Sequence, residues 1–178
     1  MKPLICVVVP AYNEALVIDA FHERVAAVFD RLDGYRWQLL FVNDGSKDAT
    51  QSVIDALCAR DSRVGAIQLS RNFGKEIAMT AGLDHAKGDA VVVIDADLQD
   101  PPELMEEFIH QWQSGFDVVY ATRTEREGET WAKKASADMF YRLMSRVSHV
   151  NIPRNTGDYR LMSRRAVDAL LKLREQHR

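Results

Sequence analysis

The 178-residue sequence predicts an α/β fold: a mostly parallel, twisted sheet flanked by helices. Three observations carry that expectation. Five short apolar runs mark residues 1–121, namely LICVVV (4–9), WQLLFV (37–42), VGAIQL (64–69), AVVVI (90–94) and DVVYA (117–121). Their near-continuous apolar character fits strands covered on both faces, as parallel strands are. Longer stretches with helical spacing separate the runs, and each run ends in a cluster of polar and charged residues. Repeated β–α units of this kind imply right-handed crossovers and an open sheet.

Each helix has its own justification. In the first, Ile18, Phe21, Val25, Val28 and Leu32 step by three and four residues and so share one face. Ser46 is placed to cap the second helix, with Val53, Ile54 and Leu57 facing inward. Pro101 and Pro102 suit the start of a helix over 103–113, where proline costs least. After residue 121 the pattern changes. TRTEREGET (122–130) has no periodicity and predicts a loop, while 131–147 predict an amphipathic helix with Met139, Phe140, Leu143, Met144 and Val147 along one side. NTGDYRLMS (155–163) predicts a turn leading into a short strand, and 164–174 a final helix. There is no repeat, low-complexity segment or linker, so residues 1–178 are expected to form one domain, with functional halves 1–121 and 122–178.

Composition bounds the function classes. A hydrophobic content of 47% and a charged content of 28% are those of a globular protein. A chain of this length buries about 70% of its unfolded surface, so no covalent or metal staple is needed. Cys6, in an apolar run, and Cys58, on a helix, read as small core hydrophobes, which predicts a reducing, cytoplasmic setting. LICVVV is too short for a signal peptide, and no apolar run approaches the roughly 18 residues that span a bilayer. The net charge of −3 hides an asymmetry. Residues 1–121 carry 10 lysines and arginines against 19 acids, a net of −9; residues 122–178 carry 13 against 7, a net of +6. The basic third either carries scattered solvated charge or meets something anionic, such as a phosphate group or a lipid surface. No nucleic-acid partner is expected.

Ligands of open α/β sheets bind at the carboxyl ends of the strands. The segments to weigh are therefore PAYNE (10–14), NDGSKD (43–48), SRNFGKE (70–76), DADLQD (95–100) and TRTER (122–126). Asp95 and Asp97, with Gln99 two residues on, present hard oxygen ligands suited to Mg²⁺ or Mn²⁺, ions that keep waters and share coordination with substrate phosphates. A lone D-x-D is also a common capping turn. Here it ends a buried strand, where unpaired carboxylates are costly without a cation. Neither G-x-G-x-x-G nor a Walker sequence is present, which excludes the dinucleotide dehydrogenases and P-loop NTPases. Tyr12 can stack on a base, and Glu14 and Asp44 offer acceptors for base N–H groups or ribose hydroxyls. Glu14 also reads as a helix cap, Asp44 as a turn residue, and Arg71 and Lys75 as either ligand contacts or surface charges.

VVVPAYNE, FVNDGSKDAT, RNFGKE, DADLQDPPE and NTGDYRLMSRRAVDAL, in that order, resemble the family-2 inverting glycosyltransferases. The similarity is closest to the branch of dolichol-phosphate mannosyltransferase and the bacterial polyprenyl-phosphate glucosyltransferases, and it spans nearly the whole chain. The resemblance implies a GT-A fold with a Rossmann-like nucleotide-binding core, a nucleoside-diphosphate sugar donor, a divalent metal (Mg²⁺ or Mn²⁺) and inversion at the anomeric carbon. It implies that Pro10, Ala11, Tyr12, Glu14 and Asp44 surround the nucleoside and that Asp95, Asp97 and Gln99 hold metal and diphosphate. Asp158 and Arg160 would then sit at the reacting centre, with Arg123 and Arg126 on a loop closing over it. The halves become a donor-binding 1–121 and an acceptor-side 122–178. Q-x-x-R-W, the motif of processive polysaccharide synthases, is absent. Bacterial members of the branch continue into membrane helices, which the sequence does not carry.

The implied reaction is a single displacement, in which an acceptor oxygen attacks the anomeric carbon as the nucleoside diphosphate leaves. A hydroxyl acceptor needs a general base, for which Asp158 is the candidate. A polyprenyl or dolichyl phosphate, with a second pKa near about 6, arrives already ionised. Arg123, Arg126, Arg154, Arg160 and Arg164 fit such an anion, so the expected setting is the cytoplasmic membrane face. The rivals are a family-2 enzyme acting on a saccharide or protein hydroxyl, a nucleotidyltransferase, which PAYNE fits poorly, and a non-catalytic sugar-nucleotide-binding module.

Overall fold

The structure, a computed structural model, describes residues 1–122 and 156–173. Its elements run β1 (Leu4–Ala11), α1 (Ile18–Asp30), β2 (Arg36–Asn43), α2 (Thr50–Arg60), β3 (Val64–Gln68), α3 (Lys75–His85), β4 (Ala90–Val93), α4 (Leu104–Gln113), β5 (Val118–Thr122), β6 (Thr156–Ser163) and α5 (Arg164–Lys172). Met1–Val119 with Asp158–Arg178 form one compact unit and Tyr120–Gly157 a second. The first unit holds every described site residue discussed below. The expected loop from residue 123 and the helix over 131–147 lie outside the described residues, as do Arg123, Arg126 and Arg154.

The six strands are ordered β3-β2-β1-β4-β6-β5. β1 is parallel to β2 and β4, and β2 to β3, whereas β6 runs antiparallel to β4. The chain moves outward from β1 to β3 and then returns to lay β4 on the other side of β1. The strand order therefore reverses between β1 and β4, and a reversal of that kind opens a crevice at the carboxyl ends of the two strands.

Period-2 alternation sorts the core onto two faces. Cys6, Val8, Leu40, Val42, Val91, Val93 and Met162 join Ala78 and Leu83 of α3 and Val167 of α5 on one face. On the other, Phe41 meets Phe21 of α1 edge to face at 6.2 Å, and Tyr159 meets Phe108 of α4 at 4.8 Å. The predicted stripe on α1 is realised at Ile18, Phe21, Val25 and Val28, which are wholly buried, whereas Leu32 falls past the helix end at Asp30 and is half-buried. Gly82 lets α3 lie close on the sheet, because a Cβ there would come within 2.3 Å of Val8 and 3.0 Å of Val42. Cys6 is buried, which pushes its thiol up to about 11, and Cys58 is half-buried; both are free.

The expected cap at Ser46 is corrected. Helix α2 begins at Thr50, whose N–H donates to Asp48 Oδ1 at 3.0 Å, while the Ser46 hydroxyl accepts the Asn13 amide at 3.0 Å. The hydroxyl is drawn to an orphan donor in the neighbouring strand-end loop and away from its own helix. At α5 the cap is real: Ser163 Oγ accepts from the Ala166 amide.

Candidate active site

The crevice between β1 and β4 is a cleft of about 310 Å³. Pro10, Ala11, Tyr12 and Glu14 line it from the end of β1, and Asp44 from the end of β2. Asn72 and Gly74 come from the β3–α3 turn, Lys75 and Ala78 from the first turns of α3, and Asp95, Ala96 and Asp97 from the segment that follows β4. Hydrogen bonds fasten these loops together. The Glu14 amide donates to Thr50 Oγ1 at 2.8 Å and the Lys47 amide to Asn13 Oδ1 at 2.8 Å. Asp44 is almost wholly buried, and its two carboxylate oxygens accept the amides of Phe73 and Gly74 at 2.7 and 2.8 Å. It therefore shapes the cleft by holding the 73–74 backbone, and each oxygen retains lone pairs for a ligand. Gly45, with φ +64°, makes that approach possible: a Cβ would fall 2.3 Å from the Arg71 carbonyl carbon. The backbone there is fixed, so only glycine fits.

The charged corner follows from strand register. In the antiparallel β4–β6 pair Val93 faces Arg160 at the last paired position, and just past it the chain brings Asp95 and Asp158 within reach of one side chain. Asp158 and Arg160 share the parity of Met162, which lies on the α3 face. Lys75, the first residue of α3, lies over that face and donates to Asp95 Oδ2 at 2.7 Å and to Asp158 Oδ2 at 2.6 Å. One ammonium thus bridges two carboxylates that would otherwise repel. Arg160 adds a second cation, donating through Nη2 to Asp158 Oδ1 at 3.2 Å and through Nε to the Asp158 carbonyl at 3.1 Å.

The electrostatics follow directly. The hydrogen bond from Lys75, then the charges of Lys75 and Arg160, hold Asp158 below the usual carboxylate range despite partial burial. Burial alone would lower Lys75, but its bonds to Asp158 and Asp95 outweigh it and raise the ammonium above its usual value. Glu14 is pushed up by desolvation and then by the neighbouring charges of Asp97, Asp48 and Asp95, so the cleft concentrates negative charge. In DADLQD the chain turns through Leu98 at φ +60°, a sparsely populated conformation for a branched side chain, and Asp97 Oδ1 accepts the Gln99 amide at 3.0 Å.

Of the residues singled out in the sequence, Pro10, Ala11, Tyr12, Glu14, Asp44, Lys75, Asp95 and Asp97 line one cleft. Asp158 and Arg160 join it through Lys75. Gln99 is exposed beside Asp97, and the Arg71 guanidinium sits 4.6 Å over the Phe73 ring; neither lines the cleft. Glu14 does not cap α1, which has no side-chain cap. Asn72, Gly74, Ala78 and Ala96 also line the cleft without having been singled out. Asn72 and Gly74 fall within RNFGKE, whose quoted motif was the available signal. The two alanines have no chemistry of their own and matter only as small walls.

Among the described residues no three His, Cys, Asp or Glu gather into a ready-made metal cage. The set still fits a hard divalent ion: Asp95, Asp97 and Gln99 offer oxygens, and an ammonium already lies against Asp95 where a cation is favoured. Such ions take few protein ligands and complete their shell with water and ligand phosphate.

The sequence matches the model of glycosyl transferase family 2 over residues 6–171. It is 52% identical over 171 residues to the uncharacterized glycosyltransferase YkcC of Bacillus subtilis (strain 168), covering 96% of this chain and 53% of that one. It is 46% identical over 173 residues to the bactoprenol glucosyl transferase of Shigella phage SfV, covering 97% of this chain and 56% of that one. The chain thus spans about half the length of the curated relatives it matches. Among solved structures, the mannosyltransferase PcManGT from Pyrobaculum calidifontis, in complex with GDP-Man and Mn²⁺, aligns with a TM-score of 0.65 at 20% identity, over 96% of this chain and 47% of that one. That likeness bears on the fold, which is GT-A. With the strand-end motifs in order and the family match running from the first strand into the last helix, the chain belongs to glycosyl transferase family 2.

Proposed function

We propose that this chain is the catalytic domain of an inverting glycosyltransferase that moves a hexose from a nucleoside-diphosphate sugar (UDP-glucose-like or GDP-mannose-like) to a polyprenyl phosphate at the cytoplasmic membrane face. The name of the phage relative supports the acceptor, and the GDP-Man and Mn²⁺ complex of the fold neighbour supports the donor class and the ion.

In this reading Tyr12 stacks on the base, Glu14 and Asp44 accept from base or ribose, and Asp95, Asp97 and Gln99 hold a Mg²⁺ or Mn²⁺ ion. That ion, when bound, stabilises charge on the departing diphosphate. Arg71 and Gln99 both lie outside the cleft lining, and Arg71, over the Phe73 ring, is assigned with Lys75 to the donor phosphates. Arg160 offers forked donors to the acceptor phosphate, and Arg123 and Arg126 are assigned to a loop over the same centre. An acceptor oxygen forms the new bond to the anomeric carbon as the bond from that carbon to the diphosphate oxygen breaks, and its electron pair leaves with the nucleotide.

The observation that carries the acceptor assignment is the double cationic contact on Asp158. A carboxylate held below its ordinary range is a poor proton acceptor, so it suits an acceptor that arrives ionised better than an alcohol. Asp158 then orients Arg160. Product analysis with labelled donor tests this. Polyprenyl phosphate is expected to yield a sugar joined through phosphate, and the matching polyprenol none. Transfer to the alcohol, or to a saccharide hydroxyl, at a comparable rate would contradict it.

A further inference from the structure

Lys75 makes a contact that the proposed reaction does not require. Its ammonium sits at hydrogen-bond distance from Asp95 on the donor side and from Asp158 on the acceptor side, 2.7 and 2.6 Å respectively. The three groups are each about one-third exposed, so water reaches them and exchange is unhindered. We infer that Lys75 is an internal counter-ion that holds the cation position beside Asp95 until a sugar nucleotide arrives, and so makes divalent-metal binding depend on the donor. This positioning role rests on the metal-and-donor reading above.

The physical argument is one of charge. Asp95 and Asp158 both lie within hydrogen-bond distance of one ammonium, and carboxylates that close need a positive partner whenever no divalent ion is present. Lys75 supplies it from the first turn of α3, next to Gly74, whose amide is tied to Asp44. A divalent ion entering beside Asp95 meets an ammonium already bonded to the same carboxylate, and like charges at that range repel. The diphosphate of a donor changes the balance, because its oxygens offer Lys75 alternative acceptors and release Asp95. Lys75 would exchange only its Asp95 contact for a phosphate oxygen, keeping Asp158, and Asp95 would then be free to hold the ion. By linkage, donor must then tighten metal binding by the same factor that metal tightens donor binding.

The test is Mn²⁺ binding to the 178-residue chain, read from the electron paramagnetic resonance of free Mn²⁺, with and without sugar nucleotide. Wild type is expected to bind Mn²⁺ weakly alone and more tightly with donor. Lys75→Met keeps the length of the side chain and removes the charge. It is expected to bind Mn²⁺ without nucleotide on the order of tenfold more tightly, and to lose most of the donor's enhancement. Lys75→Ala, which needs no packing at this site, is expected to do the same, and Lys75→Arg to stay weak like wild type. A gain of affinity cannot come from a damaged fold. Equal or weaker Mn²⁺ binding by both neutral variants, with wild-type Mn²⁺ binding intact in the presence of donor, would overturn the role of Lys75 alone. Absence of Mn²⁺ binding to every variant, even with donor, would overturn the metal reading and this inference together.

Discussion

Arg160 and Asp158 lie two residues apart on β6, and among the described residues the fork of the arginine bonds the carboxylate and carbonyl of Asp158. A phosphate at that edge offers the fork better acceptors, since charge-assisted bonds to it are worth about 1.5–3 kcal/mol each. Arg160→Ala is therefore expected to raise the KM for polyprenyl phosphate by about tenfold or more while changing donor affinity little. An unchanged acceptor KM beside lost nucleotide affinity would contradict the assignment. Tyr159, between these two residues, points to the opposite face. It is 1% exposed, packs on Phe108 and donates to the Pro102 carbonyl at 3.3 Å, which fixes the direction of its neighbours. At this scale the sequence showed which residues carry charge. It did not show that Asp44 spends both oxygens on the 73–74 amides or that Ser46 turns to Asn13, because those partners lie about 30 residues away along the chain.

Among the elements, the turn into β3 ties the sheet edge to α1. Asp61 is nearly buried and accepts from the Arg63 side chain and amide and from His22 Nε2 at 2.9 Å, while Arg63 lies 4.1 Å over Trp37. The side-chain bonds of Arg63, followed by its amide and His22, hold Asp61 well below the carboxylate range. A depressed acid stabilises the fold above its unfolded pKa of about 3.9, and that stability drains away as pH falls below it. Asp61→Asn is expected to cost about 1–3 kcal/mol at pH 7 and to flatten stability between about pH 4 and 2, as measured by urea unfolding across pH. An unchanged midpoint at pH 7, or an unchanged acid limb, would show the cluster to be inert. Helical stripes and apolar strands were legible because each is a local pattern, as the burial of Ile18, Phe21, Val25 and Val28 attests. The direction of β6 was not, since Val93 and its partner Arg160 stand 67 positions apart and no local period records their pairing.

Across the whole molecule, one sheet reversal assembles loops that are remote in sequence into a single acidic cleft. The strand-end rule placed eight of the named residues there, and it worked because β1 through β4 are parallel and their carboxyl ends coincide. It said nothing of Lys75 joining Asp95 to Asp158, a contact that exists only once β6 returns beside β4. The basic C-terminal third now divides: Arg160 bonds Asp158 beside the cleft, Arg164 donates to the Ala86 carbonyl, and Arg165 pairs with Asp117 at the sheet edge. Part of that charge is therefore structural. In the proposed reaction the acidic end of β4 binds a cation and, through it, the diphosphate of an activated sugar. Thermal unfolding with UDP-glucose or GDP-mannose, with and without Mn²⁺, tests it most directly. With donor saturating and Mn²⁺ at a hundredfold excess over its own Kd, Mn²⁺ is expected to add about 2.7 kcal/mol, on the order of 5–10 °C in Tm, and Asp97→Ala to abolish the gain. A Tm indifferent to Mn²⁺ in the presence of both donors, or an equal gain in Asp97→Ala, would contradict it.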